Sequence, residues 1–286
     1  MATSAALARF EDDLRREGVL AAGEAIPIIP AVELHDEARK IAACEADGEI
    51  VALAIRKVEL RTLPESIGGL RRLEKLYVYN TPLTALPDSL GDLSNLHTLD
   101  VAHNALTSLP ATFSRLSRLR FLYISDNRLT TLPLSVCGLP NLIYLSATDN
   151  SFGTLPGEMG NVTSLIELRL YKNQLAALPS SMGKLTSLRE LHLMDNALAS
   201  LPDSLGDLSR LRILSLRNNR LTALPESLGS LTRLAHLDLR ANQLEALPAS
   251  LADLPNLEKL DLRWNRITQP PEWIARLEQR GCVVYS

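Results

Sequence analysis

Tyr77, Tyr79, Phe121, Tyr123, Tyr144 and Tyr171 make up half of the aromatic side chains in this sequence, which holds six Tyr, four Phe and two Trp. Each stands at one of three positions that recur every 23 residues. Tyrosine offers a large, stiff contact surface with a polar tip, suited to gripping another molecule rather than making bonds. Farther on, Arg217, Arg240 and Arg263 stand 23 residues apart, as do Asp238 and Asp261, with Trp264 at the edge. Arg169 lies among the tyrosines. Two readings of the aromatic group are open. Aromatic residues favour strands and stack along them, or the group is a partner-binding surface, which also explains why it clusters toward one end. The arginines admit two as well. With the aspartates they form a self-neutralising ladder, worth about 0–1 kcal/mol per exposed pair, or they are a docking strip for an acidic or phosphorylated segment.

Bond-making chemistry finds little support. His97, His103, His192 and His236 lie on or beside the recurring positions, yet no carboxylate or cysteine cluster completes a metal or catalytic set. They read as solvated surface groups, and no metal, cofactor or catalytic residue is expected. Ser66, Ser89, Ser181, Ser204, Ser227 and Ser250 recur two residues after a proline and read as parts of a helical start, not nucleophiles. No phosphate-cradling glycine loop is present. Cys44, Cys137 and Cys282 are odd in number and lack metal-ligand spacing, which predicts free thiols in a reducing compartment.

What must position these residues is a repeat. Pro64, Pro87, Pro110, Pro133, Pro156, Pro179, Pro202, Pro225, Pro248 and Pro271 mark ten units of 23 residues over 50–279. The unit reads L-x-x-L-x-L-x-x-N-x-L-x-x-L-P-x-x-L-x-x-L-x-x, seen cleanly from Leu188 to Arg210. Around Leu191 and Leu193 it alternates with period two, which predicts a short strand with leucines inward and three positions outward. Asn196 follows where the chain turns, its amide able to satisfy backbone groups that leucine could not. Pro202 is expected at the first position of a helical turn, with Leu205 and Leu208 inward in a 3-10 or short helical turn. The residue after the first of these leucines is usually glycine, which suits a tight outer arc. The asparagine slot holds Val58 and Thr81 in the first two units, so the ladder is expected to begin at Asn104.

Before the repeats, residues 1–30 read as a helix over 1–17, stopped by Gly18, and a linker. Leu7, Phe10 and Leu14 share one face of that helix, which either docks on its own protein or serves as a partner-binding arm. Residues 31–49 read as a cap helix, from about Glu33 to Ala46, covering the first core layer. At the other end Trp273 is expected to lid the last layer, Val283 and Tyr285 fall on the next unit's strand phase, and 280–286 form a cap strand.

The motif resembles the leucine-rich repeat over about four-fifths of the chain. Within that superfamily the Leu-Pro unit is similar to intracellular Ras-associated scaffold proteins, their plant relatives and many bacterial repeat proteins. The resemblance implies an α/β fold: a right-handed β-α superhelix bent into a horseshoe, with a parallel concave sheet and short helical or 3-10 turns on the convex side. It also implies binding of another protein on the concave face. Composition agrees with a binding role of that kind. A net charge of −3 over 286 residues leaves no footprint for nucleic acid. No stretch reaches the roughly 20 apolar residues that span a bilayer, and the first residues lack a signal-peptide pattern.

The expectation is therefore a non-enzymatic, monomeric, cytoplasmic interaction module or scaffold, with a place in intracellular signalling. The alternatives are a bacterial effector secreted without a cleavable signal and acting on a host protein, or the substrate-recognition subunit of a separately encoded enzyme such as a ubiquitin ligase. A glycan or immune receptor fits poorly without cysteine caps.

Overall fold

The computed structural model describes residues 4–36 and 38–286. It divides into two compact units, one ending at Leu142 and the other beginning at Ile143. The first holds helix α1 (Ala5–Arg16), strands β1 (Ile41–Ala46), β2 (Glu49–Arg56), β3 (Lys75–Tyr79), β4 (Thr98–Asp100) and β5 (Phe121–Tyr123), and helix α2 (Leu134–Cys137). Here β1 and β2 form an antiparallel hairpin, and β2 to β5 pair in parallel, in chain order. The second holds β6 (Tyr144–Ser146), β7 (Glu167–Arg169), β8 (Glu190–His192), β9 (Ile213–Ser215), β10 (His236–Asp238), β11 (Lys259–Asp261), helix α3 (Trp273–Gln279) and β12 (Val283–Tyr285). Its strands pair in parallel, again in chain order.

Each repeat buries its apolar positions completely, as at Leu188, Leu191, Leu193, Leu198, Leu205 and Leu208. A three-residue strand has too few hydrogen bonds to stand alone, so its stability comes from the neighbours stacked on either side. The asparagine ladder carries much of that stacking. Asn219 donates from Nδ2 to the Leu193 carbonyl one repeat back at 3.0 Å and accepts the Leu198 N–H at 3.0 Å. The ladder starts at Asn104 as expected. Thr81 occupies the preceding slot, and its hydroxyl donates to Asn104 Oδ1 at 2.6 Å.

The glycine column has a definite cause. A Cβ on Gly206 would lie 2.4 Å from the Ser227 carbonyl oxygen, and one on Gly160 would lie 2.3 Å from that of Ser181. The next helical turn approaches so closely that any side chain collides. A second column was not foreseen. Lys57, Asn80, His103, Asp126, Asp149, Lys172, Asp195, Asn218, Ala241 and Trp264 all have φ between 50 and 62°, one per repeat, just before the asparagine slot. This left-handed residue turns the chain out of the strand. Asn, Asp and His, which tolerate it best, fill six of the ten positions.

Three local expectations are corrected. The cap helix over 31–49 is absent. A short 3-10 turn at Ala31–Glu33 leads into strand β1, which carries Cys44, while Glu37 lies outside the described residues. The signal was Asp47-Gly48, both at positive φ (53 and 79°), a two-residue hairpin turn between Ala46 and Glu49. Such a turn requires extended chain on both sides, and pairing with β2 overrides the helical spacing of Leu34, Ala38 and Ile41.

The second correction concerns the prolines. Nine of the ten, Pro64 through Pro248, sit one position before the helical turn rather than at its first residue, and Pro271 sits two before α3. Pro202 has extended ψ (145°), and its carbonyl accepts the Leu205 N–H at 3.0 Å. The third lies at the C-terminus. There β12 pairs with β11 at an offset of 24, Lys259 opposite Val283 and Asp261 opposite Tyr285. The longer turn of α3 inserts one residue, which moves Val283 and Tyr285 off the 23-residue strand phase and leaves them facing outward.

Two further expectations meet their positions. Trp273 is buried, and α1 is docked on its own unit with Leu7, Phe10 and Leu14 buried. Its first three expected residues lie outside the described ones. Ser4 caps the helix by accepting the Leu7 N–H, and the buried Glu11 carboxylate accepts the Ile26 N–H at 2.7 Å, tying the helix to the linker.

Candidate functional site

The candidate surface is the strand face opposite the leucine core, because there the period-two alternation leaves side chains half-buried and available. In the unit ending at Leu142, registers place Tyr77, Asp100 and Tyr123 in one row and Lys75, Thr98 and Phe121 in the next. Tyr77, Tyr79, Phe121 and Tyr123 are all half-buried. The structure separates them by what they touch. Tyr77 packs on the cluster of Ile29, Leu34, Ala42, Cys44, Ala52 and Ala54. The His35 ring meets it edge-on, with centroids 5.1 Å apart. Tyr79 receives a hydrogen bond from Arg56 Nη1 at 2.9 Å, and that guanidinium also lies over its ring. Arg56, which the sequence did not single out, is fully buried on this face and donates to the Leu34 carbonyl. Leu34 and His35 therefore cover the beginning of the strand face. Phe121 and Tyr123 lie two strands farther on, with the Arg120 guanidinium 5.9 Å from the Phe121 ring.

In the second unit the face is dominated by paired charges. Arg169 donates to Glu167 at 2.5 Å and stacks over Tyr144, 5.6 Å from its centroid. Tyr171 is half-buried beyond the end of β7. Arg217 approaches Asp195 at 3.6 Å. Arg240 grips Asp238 through Nε and Nη2 at 2.9 and 2.6 Å, and Arg263 grips Asp261 the same way at 3.0 and 2.7 Å. Arg240 also lies 3.4 Å from Asp261. Asp261 is 1% exposed. Burial pushes its carboxyl upward, but the hydrogen bonds from Arg263 and the charges of Arg240 and Arg263 outweigh that and hold it below its ordinary value. The ladder of the first reading is thus formed, by two-pronged bonds rather than loose pairs.

Tyr285 adds a further aromatic ring to this face. Arg263 lies 4.9 Å over it and 5.5 Å over Trp264, which is 70% exposed.

One grouping was missed because Glu167 and Glu190 were not set beside His192. Their ligand atoms and those of His192 lie within 4.8 Å of one another, all half-buried. Arg169 already holds Glu167, and Glu190 faces His192 Nε2 at 3.2 Å, so the three close on themselves as a polar network. The other imidazoles are also next to carboxylates, His103 at 2.8 Å from Asp126, His236 at 3.5 Å from Glu258 and His97 at 3.8 Å from Glu74. Burial and the charge of Lys75 pull His97 below its ordinary pKa. None of the three cysteines is in a disulfide, and all are buried. Burial raises the thiols of Cys44 and Cys282, which makes them poor nucleophiles. Among the described residues no helix is long and apolar enough to cross a membrane.

Comparison with known proteins places the repeat. Leucine-rich repeat family models match residues 71–129 and 209–267, and a leucine-rich repeat region model matches 103–201. No curated protein sequence matches the chain. Among solved structures, the chain is similar to a leucine-rich repeat protein of Leptospira interrogans, with 30% identity over 81% of this chain and 77% of that one and a TM-score of 0.46. It is similar to the ectodomain of the Arabidopsis thaliana membrane receptor kinase GASSHO1/SCHENGEN3, solved with CASPARIAN STRIP INTEGRITY FACTOR 2. Identity is 31% over 82% of this chain and 30% of that one, with a TM-score of 0.73. It is also similar to the Arabidopsis receptor kinase HAESA, solved with the peptide hormone IDA and a co-receptor, with 27% identity over 92% and 43% of the two chains and a TM-score of 0.69. The chain spans less than half the length of these plant receptors. With ten 23-residue units, a buried leucine core, an asparagine ladder and family matches across most of its length, the chain belongs to the leucine-rich repeat family and has that family's solenoid fold.

Proposed function

We propose that the protein is a non-enzymatic interaction module that binds a protein partner on the strand face of its repeats. The observation that carries this is the division of labour within each strand. The inward side chains are apolar, mostly leucine, and buried, whereas many of the outward ones are half-exposed aromatic or charged groups. A surface that served only to cover the core would not need tyrosine, the residue most favoured in binding hot spots. Of the two plant receptors that resemble it, one was solved with CASPARIAN STRIP INTEGRITY FACTOR 2 and the other with a peptide hormone and a co-receptor, which supports a peptide or protein partner here. We assign Phe121 and Tyr123 on the first unit, and Tyr144 and Tyr171 on the second, as contact residues, and a cytoplasmic scaffold role is our reading of three cysteines that form no disulfide. The test is affinity capture from the parent lysate with the wild-type chain and with a Tyr123→Ala, Tyr144→Ala double variant. Loss of the captured protein with an unchanged melting curve is expected. Equal capture by both would place the contact elsewhere.

A further inference from the structure

On strands β3 to β11, five acidic residues face away from the leucine core: Asp100, Glu167, Glu190, Asp238 and Asp261. Four have a basic partner two residues later in direct contact: Arg169 at 2.5 Å, His192 at 3.2 Å, Arg240 at 2.6 Å and Arg263 at 2.7 Å. The fifth has Ala102 instead. Yet the Asp100 carboxylate holds the same local pose as its two counterparts. Its Oδ1 accepts the Ala102 N–H at 3.0 Å, just as Asp238 accepts the Arg240 N–H at 3.1 Å and Asp261 accepts the Arg263 N–H at 3.4 Å. Among the described residues no lysine or arginine pairs with it. The basic groups that act on it are imidazoles. His103 is taken up by Asp126 at 2.8 Å, and His35 rests on the Tyr77 ring.

Register puts Tyr77 on one side of Asp100 and Tyr123 on the other, one strand spacing away in each direction, about 4.8 Å. Burial raises the Asp100 carboxyl above its ordinary value, the opposite of Asp261, which its arginines hold down. A half-buried carboxylate walled by two phenol rings attracts a cation through both its charge and the ring faces. The chain's own tyrosine rings take cations: guanidinium groups lie over Tyr79, Tyr144 and Tyr285 at 5.6, 5.6 and 4.9 Å, and the Lys259 ammonium lies over Tyr285 at 5.4 Å. A guanidinium fork can bond both carboxylate oxygens while stacking on a ring, which a lysine ammonium cannot do.

We propose that Asp100, between Tyr77 and Tyr123, is the seat for an arginine side chain of the protein partner, whose guanidinium takes the place that Arg240 and Arg263 fill beside Asp238 and Asp261. This rests on the strand-face reading and names what that partner must present.

The probe is N-acetyl-arginine amide, titrated at millimolar concentration into the full chain while backbone amide resonances are followed. Saturable shifts centred on the Ala102 amide, which donates to Asp100, are expected. Asp100→Asn should weaken the response at least about tenfold, since hydrogen bonds to a charged group are lost. Ala102→Arg builds the missing partner within the chain and should abolish the response with an equal or higher melting temperature. N-acetyl-citrulline amide should give no saturable shift, and N-acetyl-lysine amide a weaker one. Shifts absent at Ala102, equal in Asp100→Asn, or equal with citrulline would overturn the proposal. Because the probe is one amino-acid derivative, a failed titration alongside capture that still depends on Tyr123 and Tyr144 would remove the arginine seat alone. Capture indifferent to those tyrosines would remove the strand-face reading itself.

Discussion

Asn219 holds Leu193: its side-chain Nδ2 donates to that leucine's carbonyl, 26 residues earlier, at 3.0 Å. The same group donates to the Leu216 carbonyl at 3.0 Å, and Oδ1 accepts the Leu198 N–H at 3.0 Å. One amide thus closes its own turn and staples it to the repeat before. Asn219→Ala strands buried backbone groups, at about 1–3 kcal/mol for each left unpaired. The expected loss is about 3 kcal/mol, read from urea denaturation. A loss below about 1 kcal/mol would mean that water replaces the ladder.

Two glycines separate close approach from backbone freedom. Neither Gly206 nor Gly157 has positive φ, but only Gly206 lacks room for a methyl group, because its Cβ would fall 2.4 Å from the Ser227 carbonyl oxygen. Gly206→Ala should cost about 1–3 kcal/mol by overpacking. Gly157→Ala, with nothing within 4 Å, should be neutral or stabilise by up to about 1 kcal/mol. Equal melting temperatures for the two variants would contradict the tight stacking of successive turns.

Asp261→Asn tests the charge ladder. The substitution should cost about 2 kcal/mol at neutral pH, since Arg263 and Arg240 lose their charged acceptor. The sign with pH follows from the lowered folded pKa. The stabilisation is fully present above the unfolded carboxylate value of about 3.9 and disappears as pH falls through the lower folded value. Wild type and variant should therefore converge in acid, by thermal melts at stepped pH. A gap that persists at the lowest pH would assign the effect to packing.

Trp264 is a bulky residue in the left-handed region (φ 62°), at a position that asparagine or aspartate fills in several other repeats. Such conformations cost about 1–3 kcal/mol in a residue that does not tolerate them. Trp264→Asn should raise stability by about 1 kcal/mol, despite losing the stack on Arg263. If partner capture falls in the same variant, the strain is retained for binding. A lower melting temperature would instead make the tryptophan structural.

Most of the scaffold was legible in the sequence because it repeats. The positions of Leu191, Leu193, Asn196 and Pro202 recur in register through the array, and repetition averages away the ambiguity of any single short strand. Errors appeared where the averaging stops. The hairpin of Ala46 and Glu49 was hidden by helix-like spacing, although Asp47-Gly48 announced it locally. The register of Tyr285 differs by one from the repeat's strand phase, because nothing in the sequence reveals the residue that α3 inserts before β12.

The sequence by itself determined the period, the core layer and the set of outward side chains, because burial of leucine every second or third residue is a local, periodic constraint. Only the tertiary structure decided what those outward groups do. Whether an arginine is paired or an aspartate is left without one depends on rotamers and on neighbours 23 residues away. Asp100 and Asp261 occupy the same slot of the repeat and accept the same backbone bond. They differ because Ala102 stands at the repeat position that Arg263 holds.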